Sequence, residues 1–125
     1  MATDANSVLQ ASVTKTASFN SAGVDLKTGT PRRGLKAVVR YSAANHASGT
    51  GTFTFSMEHS DDNTTFYATG SGAADVITLT TTAQAGEIFI PFETSKRYVR
   101  LVETLGAGST TPTITYEGWI VLGRP

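Results

Sequence analysis

Thr52-Phe53-Thr54-Phe55-Ser56-Met57-Glu58-His59 alternates polar and apolar residues without a break. Phe53, Phe55 and Met57 fall on one side, and Thr52, Thr54, Ser56 and Glu58 on the other. Successive side chains of an extended chain point to opposite faces, so a period of two is what a half-buried antiparallel strand requires. Ser60-Asp61-Asp62-Asn63 follows. Asp and Asn bond their own backbone and tolerate left-handed geometry, so this stretch is expected to turn the chain. Thr65 to Thr69 is then expected to return as the hairpin partner.

The same alternation extends in both directions from this segment. Toward the N-terminus, Leu35 to Ala43 places Leu35, Ala37, Val39 and Tyr41 on one face, with Lys36, Val38 and Arg40 opposite. Val8 to Ala17 and the short Val24 to Leu26 also read as extended. Toward the C-terminus the strands are Asp75 to Thr82, Glu87 to Phe92, Arg97 to Leu105 and Thr113 to Leu122. Gly86 is expected to break the chain, and Pro91 to place its strand at a sheet edge or to end it, because proline cannot donate to the ladder. In the last strand Ile114, Tyr116, Gly118, Ile120 and Leu122 share a face, with Trp119 opposite. The expected core is Val39, Tyr41, Phe53, Phe55, Ile88, Ile90, Val99 and Leu101.

No window shows the i, i+3, i+4, i+7 stripe of a helix. Parallel strands need crossovers of about a dozen residues or more, and the gaps here are shorter, so the sheets should be antiparallel. About eight short strands without crossover helices predict an all-β chain, an antiparallel β-sandwich of jelly-roll type. Strand count alone also admits an immunoglobulin-like order. At 125 residues and 13.1 kDa the chain suits one domain spanning 1–125. Short polar arms are expected at 1–7 and 122–125. Ala43 to Gly51 and Gly106 to Pro112 read as mobile loops.

Composition removes several function classes. Cysteine is absent, which excludes disulfides and thiolate metal sites. Ten basic and ten acidic residues balance, whereas nucleic-acid binders usually carry a basic stripe. The densest basic cluster, Arg32, Arg33, Lys36 and Arg40, reads as a solvated loop and strand edge. No apolar run approaches the ~20 residues that span a bilayer, and Met1 to Gln10 lacks the pattern of a leader. A soluble protein made in the cytosol is the expectation.

Enzyme chemistry is not expected, and no catalytic, cofactor-binding or metal-ligating residue is assigned. His46 and His59 are not at ligand spacing. Asp61-Asp62-Asn63 lacks the Gly and distal Glu of a calcium hand loop. Asp25, Glu58, Asp75, Glu87, Glu93, Glu103 and Glu117 lie mostly in turns or on polar faces. Glu103 and Glu117 interrupt apolar strands, and pairing with Arg97 or Arg100 is the expected reason. Gly49-Thr50-Gly51 and Gly70-Ser71-Gly72 lack the lysine of a phosphate loop. Trp119, Tyr67 and Phe89 fall on the less certain faces, where one of them, if exposed, could anchor a sugar ring or a partner.

Phe53 to Gly72 runs a strand into Ser-Asp-Asp-Asn, then an aromatic and a polar strand, and Arg97-Tyr98-Val99-Arg100-Leu101 follows downstream. With Asp25-Leu26 and the Leu35 to Tyr41 strand, this layout resembles the head decoration or cementing proteins of tailed bacteriophages. The resemblance implies a jelly-roll virion protein without enzymatic activity or cofactor. It would be made in the host cytoplasm and would stabilise the capsid surface. The implied partners are the major capsid protein and further copies of the chain, with a trimer favoured over a dimer. Neither nucleic acid nor membrane is implied. The same pieces also resemble discoidin-like and other carbohydrate-binding sandwiches. There, Asn63 replaces the usual Gly, Phe66 replaces Trp, and the terminal cysteines are missing. A hydrolase with two close carboxylates is the third class.

Overall fold

Every long alternating segment becomes a strand in the computed structural model, which describes residues 8–26, 32–69, 75–106 and 108–122. Twelve strands are present among them: β1 (Val8–Lys15), β2 (Phe19–Asn20), β3 (Val24–Asp25), β4 (Arg32–Asn45), β5 (Ser48–Gly49), β6 (Thr52–Ser60), β7 (Tyr67–Ala68), β8 (Asp75–Thr78), β9 (Gln84–Thr94), β10 (Tyr98–Leu105), β11 (Ser109–Thr110) and β12 (Thr113–Leu122). One sheet has the order β1-β12-β4-β9. The other is built on β2-β10-β6-β7, with β3 also on β10 and β8 also on β6. All pairings are antiparallel.

Two strands of the second sheet are interrupted. β2 and β3 both pair with β10, and β7 and β8 both pair with β6. Counted as one strand each, and with the small β5–β11 ladder set aside, they leave eight strands. Their orders are then 1-8-3-6 and 2-7-4-5. Successive strands alternate between the sheets except at the 4-5 hairpin, which is jelly-roll connectivity and rules out the immunoglobulin-like order.

Burial follows the period of two. Leu35, Ala37 and Val39 of β4, Ile88, Ile90 and Phe92 of β9, and Ile114 and Tyr116 of β12 face Phe53, Phe55 and Met57 of β6. Val99 and Leu101 of β10 and Ile77 of β8 complete the layer from the second sheet. Phe55 meets Tyr116 edge-on, with ring centroids 5.0 Å apart. Seven of the eight expected core residues are buried, and Tyr41 is half-buried at the rim. Gly118 lets the sheets approach: a Cβ there would lie 3.1 Å from a Leu101 methyl.

Several expectations are corrected. Gly86 does not break the chain but sits inside β9 opposite Tyr41. A Cβ at Gly86 would lie 2.8 Å from the Tyr41 hydroxyl, so the missing side chain makes room for that ring. Pro91 does lie on the edge strand of its sheet. β4, carrying Arg32, Arg33, Lys36 and Arg40, is an interior strand between β12 and β9 and not a strand edge. The two loops read as mobile are tied together by β5 and β11 and by backbone bonds from Ala47 to Thr110 (2.7 Å) and from Thr50 to Gly108 (3.0 Å). Of the arms, Leu122 belongs to β12, opposite Leu35. Residues 1–7 and 123–125 lie outside the described residues.

Candidate functional site on the outer face of the four-stranded sheet

Residues that alternate with the core positions of β1, β12, β4 and β9 point away from the sandwich. Cross-strand register aligns them in rows. Val8 pairs with Trp119, Trp119 with Val38, and Val38 with Phe89, which makes one row across all four strands. Glu117, Arg40 and Glu87 form the row on one side. Val121, Lys36 and Pro91 form the row on the other. Together with Gln10, Ala11 and Gly118, most of these residues line an open groove of about 620 Å³. That is within the range of small-molecule sites, roughly 300–1,000 Å³.

The middle row is apolar and its outer member is wet. Phe89 is 52% exposed, Val8 is exposed, Trp119 is half-buried and Val38 forms a buried floor. An open aromatic patch on a small domain costs free energy in water, and such patches usually mark where a partner or ligand sits. Charged side chains partly cover the rings. The Lys36 ammonium lies 5.6 Å from the Phe89 ring centre, and the Arg40 guanidinium 5.3 Å from that of Trp119. Arg40 is held in place because its Nε and one Nη both donate to a single Glu87 oxygen, at 2.9 and 2.7 Å. The groove therefore presents an aromatic strip with polar and charged groups along both sides. Such a strip can hold a flat apolar surface while donating to and accepting from the ligand's rim.

The other residues singled out in the sequence lie elsewhere. Tyr67 is 59% exposed on β7, in the opposite sheet, so it is not brought to Trp119 and Phe89. His46 is buried where the loops meet, its Nε2 placed 3.2 Å from the Leu79 carbonyl. His59 shares a 2.8 Å bond with the Thr94 hydroxyl, and its pKa is lowered, first by burial and then by Lys96. Asp62 caps its own turn: one oxygen accepts the Thr64 and Thr65 amides at 2.9 and 3.0 Å, and Asn63 takes a φ of 60°. These bonds, Thr65 and Thr64 first, hold the Asp62 carboxyl below its ordinary range. Among the described residues no three His, Asp or Glu side chains gather to hold a metal ion. No helix there is long and apolar enough to cross a membrane.

The pairing expected for Glu103 is wrong. Arg97 bonds Asp25 through two nitrogens at 2.8 and 2.9 Å, and Arg100 bonds Glu58 at 2.6 and 2.9 Å. Strand period explains the difference, since Glu103 is in phase with Val99 and Leu101 and points inward, whereas Arg100 points outward. Glu103 is 1% exposed, and its carboxyl oxygens find no well-formed hydrogen bond among the described residues, the Tyr116 hydroxyl being the polar group beside them. Burial raises its pKa to about 7, against smaller downward effects of the Tyr116 hydroxyl and Lys15. Tyr116 is raised in turn by burial and by the carboxyl beside it. Glu117, the other expected partner of these arginines, stands opposite Arg40 in the groove instead.

The groove draws on residues that sequence reading passed over. Val8 and Gln10 come from an edge strand far away in the chain, and Lys36 and Glu117 looked like ordinary solvated positions. The available hint was phase. Phe89 and Trp119 each sit on the polar side of their strand's alternation, so both had to point away from the core.

No protein-family model matches the sequence, and no curated protein matches it. Solved structures similar to it include CBM4, at 18% identity over 86% of this chain with a TM-score of 0.45. TmCBM61 in complex with β-1,4-galactotriose is 11% identical over 89% of the chain, with a TM-score of 0.46. A family 16 carbohydrate-binding module is 12% identical over 88%, with a TM-score of 0.31. The chain covers 61%, 70% and 75% of those structures respectively. These neighbours correct the expectation of a phage head decoration protein: they are carbohydrate-binding modules and not virion proteins. The major capsid protein partner, the trimer and the virion location rested on that same resemblance and have no support in the single chain. Overlap at this level identifies no ligand, which has to be read from the groove itself.

Proposed function

We propose that this chain is a non-catalytic carbohydrate-binding module that holds its ligand on the outer face of the β1-β12-β4-β9 sheet. The observation that carries this reading is the row Trp119–Val38–Phe89, in which Phe89 is exposed, Trp119 half-buried and Val38 a buried floor, bordered by Lys36 on one side and by Arg40, Glu87 and Glu117 on the other. A pyranose ring offers what this strip complements: a flat C–H face for the aromatic rings, and a rim of hydroxyls that both donate and accept. The aromatics stand on strands of a sandwich with a packed core, so the platform exists before ligand arrives and little ordering is lost on binding.

The test is affinity electrophoresis of the purified chain through gels cast with a panel of soluble plant, bacterial and animal polysaccharides. The wild type should be retarded by at least one of them. Trp119→Ala should migrate as in a sugar-free gel while keeping its β-type circular dichroism. A folded wild-type chain that no polysaccharide retards would overturn the reading.

A further inference from the structure

Resting on the reading of this face as a glycan platform, we infer the class of glycan it takes. It is an uncharged, extended chain of equatorial β-1,4-linked hexoses, laid across the strands, and at least three rings long.

Direction and length follow from register. Trp119, Val38 and Phe89 are direct cross-strand partners on β12, β4 and β9, so their row runs perpendicular to the strands. Adjacent strands lie about 4.8 Å apart, which puts the two aromatic side chains roughly 10 Å from each other. One hexose in an extended β-1,4 chain advances by about the interstrand distance, roughly 5 Å. A ring on Trp119 therefore places the next ring over the low floor of Val38 and the third on Phe89. Rings i and i+2 of a two-fold ribbon present the same face to the surface they lie on, so one flat chain satisfies both aromatics. An α-1,4 chain curls away from a flat row and reaches one aromatic only.

Charge sets the second property. Two cations, Lys36 and Arg40, and two carboxylates, Glu87 and Glu117, line the groove. Arg40 is already neutralised by Glu87 at 2.7 Å, and Glu117 stands next to Arg40 in the same row. The lining thus sums to zero. An anionic sugar would gain from Lys36 and lose against Glu117 and Glu87, while neutral hydroxyls can bond to all four groups. Gln10 adds one more uncharged donor and acceptor at the β1 end.

The experiment is calorimetric titration of the whole chain with equatorially β-1,4-linked hexose oligosaccharides of one to five rings, in gluco and manno series. Maltotriose and a β-1,4-linked triuronate serve as the bent and charged comparisons. In at least one neutral series the trisaccharide should bind tenfold or more tightly than the disaccharide, with little gain beyond four rings. Phe89→Ala should erase that step, so that the variant binds trisaccharide no better than disaccharide, while maltotriose and the triuronate should bind the wild type at least tenfold more weakly than the neutral β-1,4 trisaccharide does. Equal affinity for two and three rings, a step that survives in Phe89→Ala, or equal binding of the charged or bent sugar would overturn the inference yet leave the platform standing. Failure of every sugar, in a chain whose Phe89 and Trp119 environments are confirmed folded by fluorescence and NMR, would remove the platform as well.

Discussion

On the outer face of the β1-β12-β4-β9 sheet, Trp119 and Phe89 flank Val38 in an open groove. On the outer face of the opposite sheet, the corresponding positions are Thr54 opposite Thr104, Ser56 opposite Val102, and Glu58 opposite Arg100. There Tyr98 of β10 and Phe66 are both half-buried, each with a guanidinium by its ring: Arg97 lies 5.4 Å from the Tyr98 ring centre and Arg100 4.1 Å from that of Phe66. Both faces obey the same alternation, and both are free of the core. One spends its outward positions on hydroxyls, two valines (Val102 and the exposed Val76) and a cross-strand ion pair, with no row of aromatic rings. The other leaves the Phe89 ring half in water and the Trp119 ring half-buried, where their apolar surface contributes less to folding than it would in the core. The proposed glycan platform rests on this contrast, with the other face read as a scaffold.

The sharpest way to break this comparison is to remove a phenylalanine from each environment. Phe55→Ala empties a fully buried site against Tyr116 and should cost about 3–5 kcal/mol in urea unfolding. Phe89→Ala should cost less than about 1 kcal/mol, because the ring is half in water already. A large loss at Phe89 would mean that its face is structural and not a binding platform.

The interior supplies the next effect. Glu103 has a folded-state pKa of about 7, above the ordinary 4.5, so the folded chain holds this proton more tightly than the unfolded chain. Its contribution is therefore most favourable below pH 4.5, is lost as pH rises from 4.5 to 7, and is level above that. The loss amounts to at most about 3.5 kcal/mol. Glu103→Gln cannot titrate, so the difference between variant and wild type in thermal melts should grow across that window in the variant's favour. A difference independent of pH would show that Glu103 reaches water or a partner when charged.

Smaller still are the two ion pairs on opposite faces. Glu58 and Arg100 are each about a quarter exposed and directly opposite in register. A double-mutant cycle there should yield roughly 0.5–1 kcal/mol of coupling. Arg40 and Glu87 are more exposed, and their coupling should be nearer zero, at most about 0.5 kcal/mol, and screened by salt. Should the groove pair prove the stronger, it would be holding the sheet and not merely positioning Arg40 beside Trp119. Tyr67→Ala, on the scaffold side, should change neither stability by more than about 0.5 kcal/mol nor retention by polysaccharide.

How much of this could be read beforehand depends on the range of the interaction. Alternation is a local property, because side-chain direction follows from the extended backbone alone. It was enough to find the long strands, to sort inward from outward residues in β4, β6, β9 and β12, and to name the core through Phe53, Phe55, Val39, Ile90 and Leu101. Asp62 and Asn63 declared their turn for the same reason, since their bonds close within a few residues. Glu103 shows where local reading stops. Its phase pointed inward, but an unpaired carboxyl in a core is so costly that an arginine partner was the natural assumption, and only the packed sandwich shows Arg97 and Arg100 occupied elsewhere. The groove is likewise a product of tertiary structure. Val8, Lys36, Phe89 and Trp119 are spread over more than a hundred residues, and antiparallel register brings them into adjoining rows. That register is set by which strands pair across the jelly roll, a choice made by burial of the whole inner face and not by any one strand.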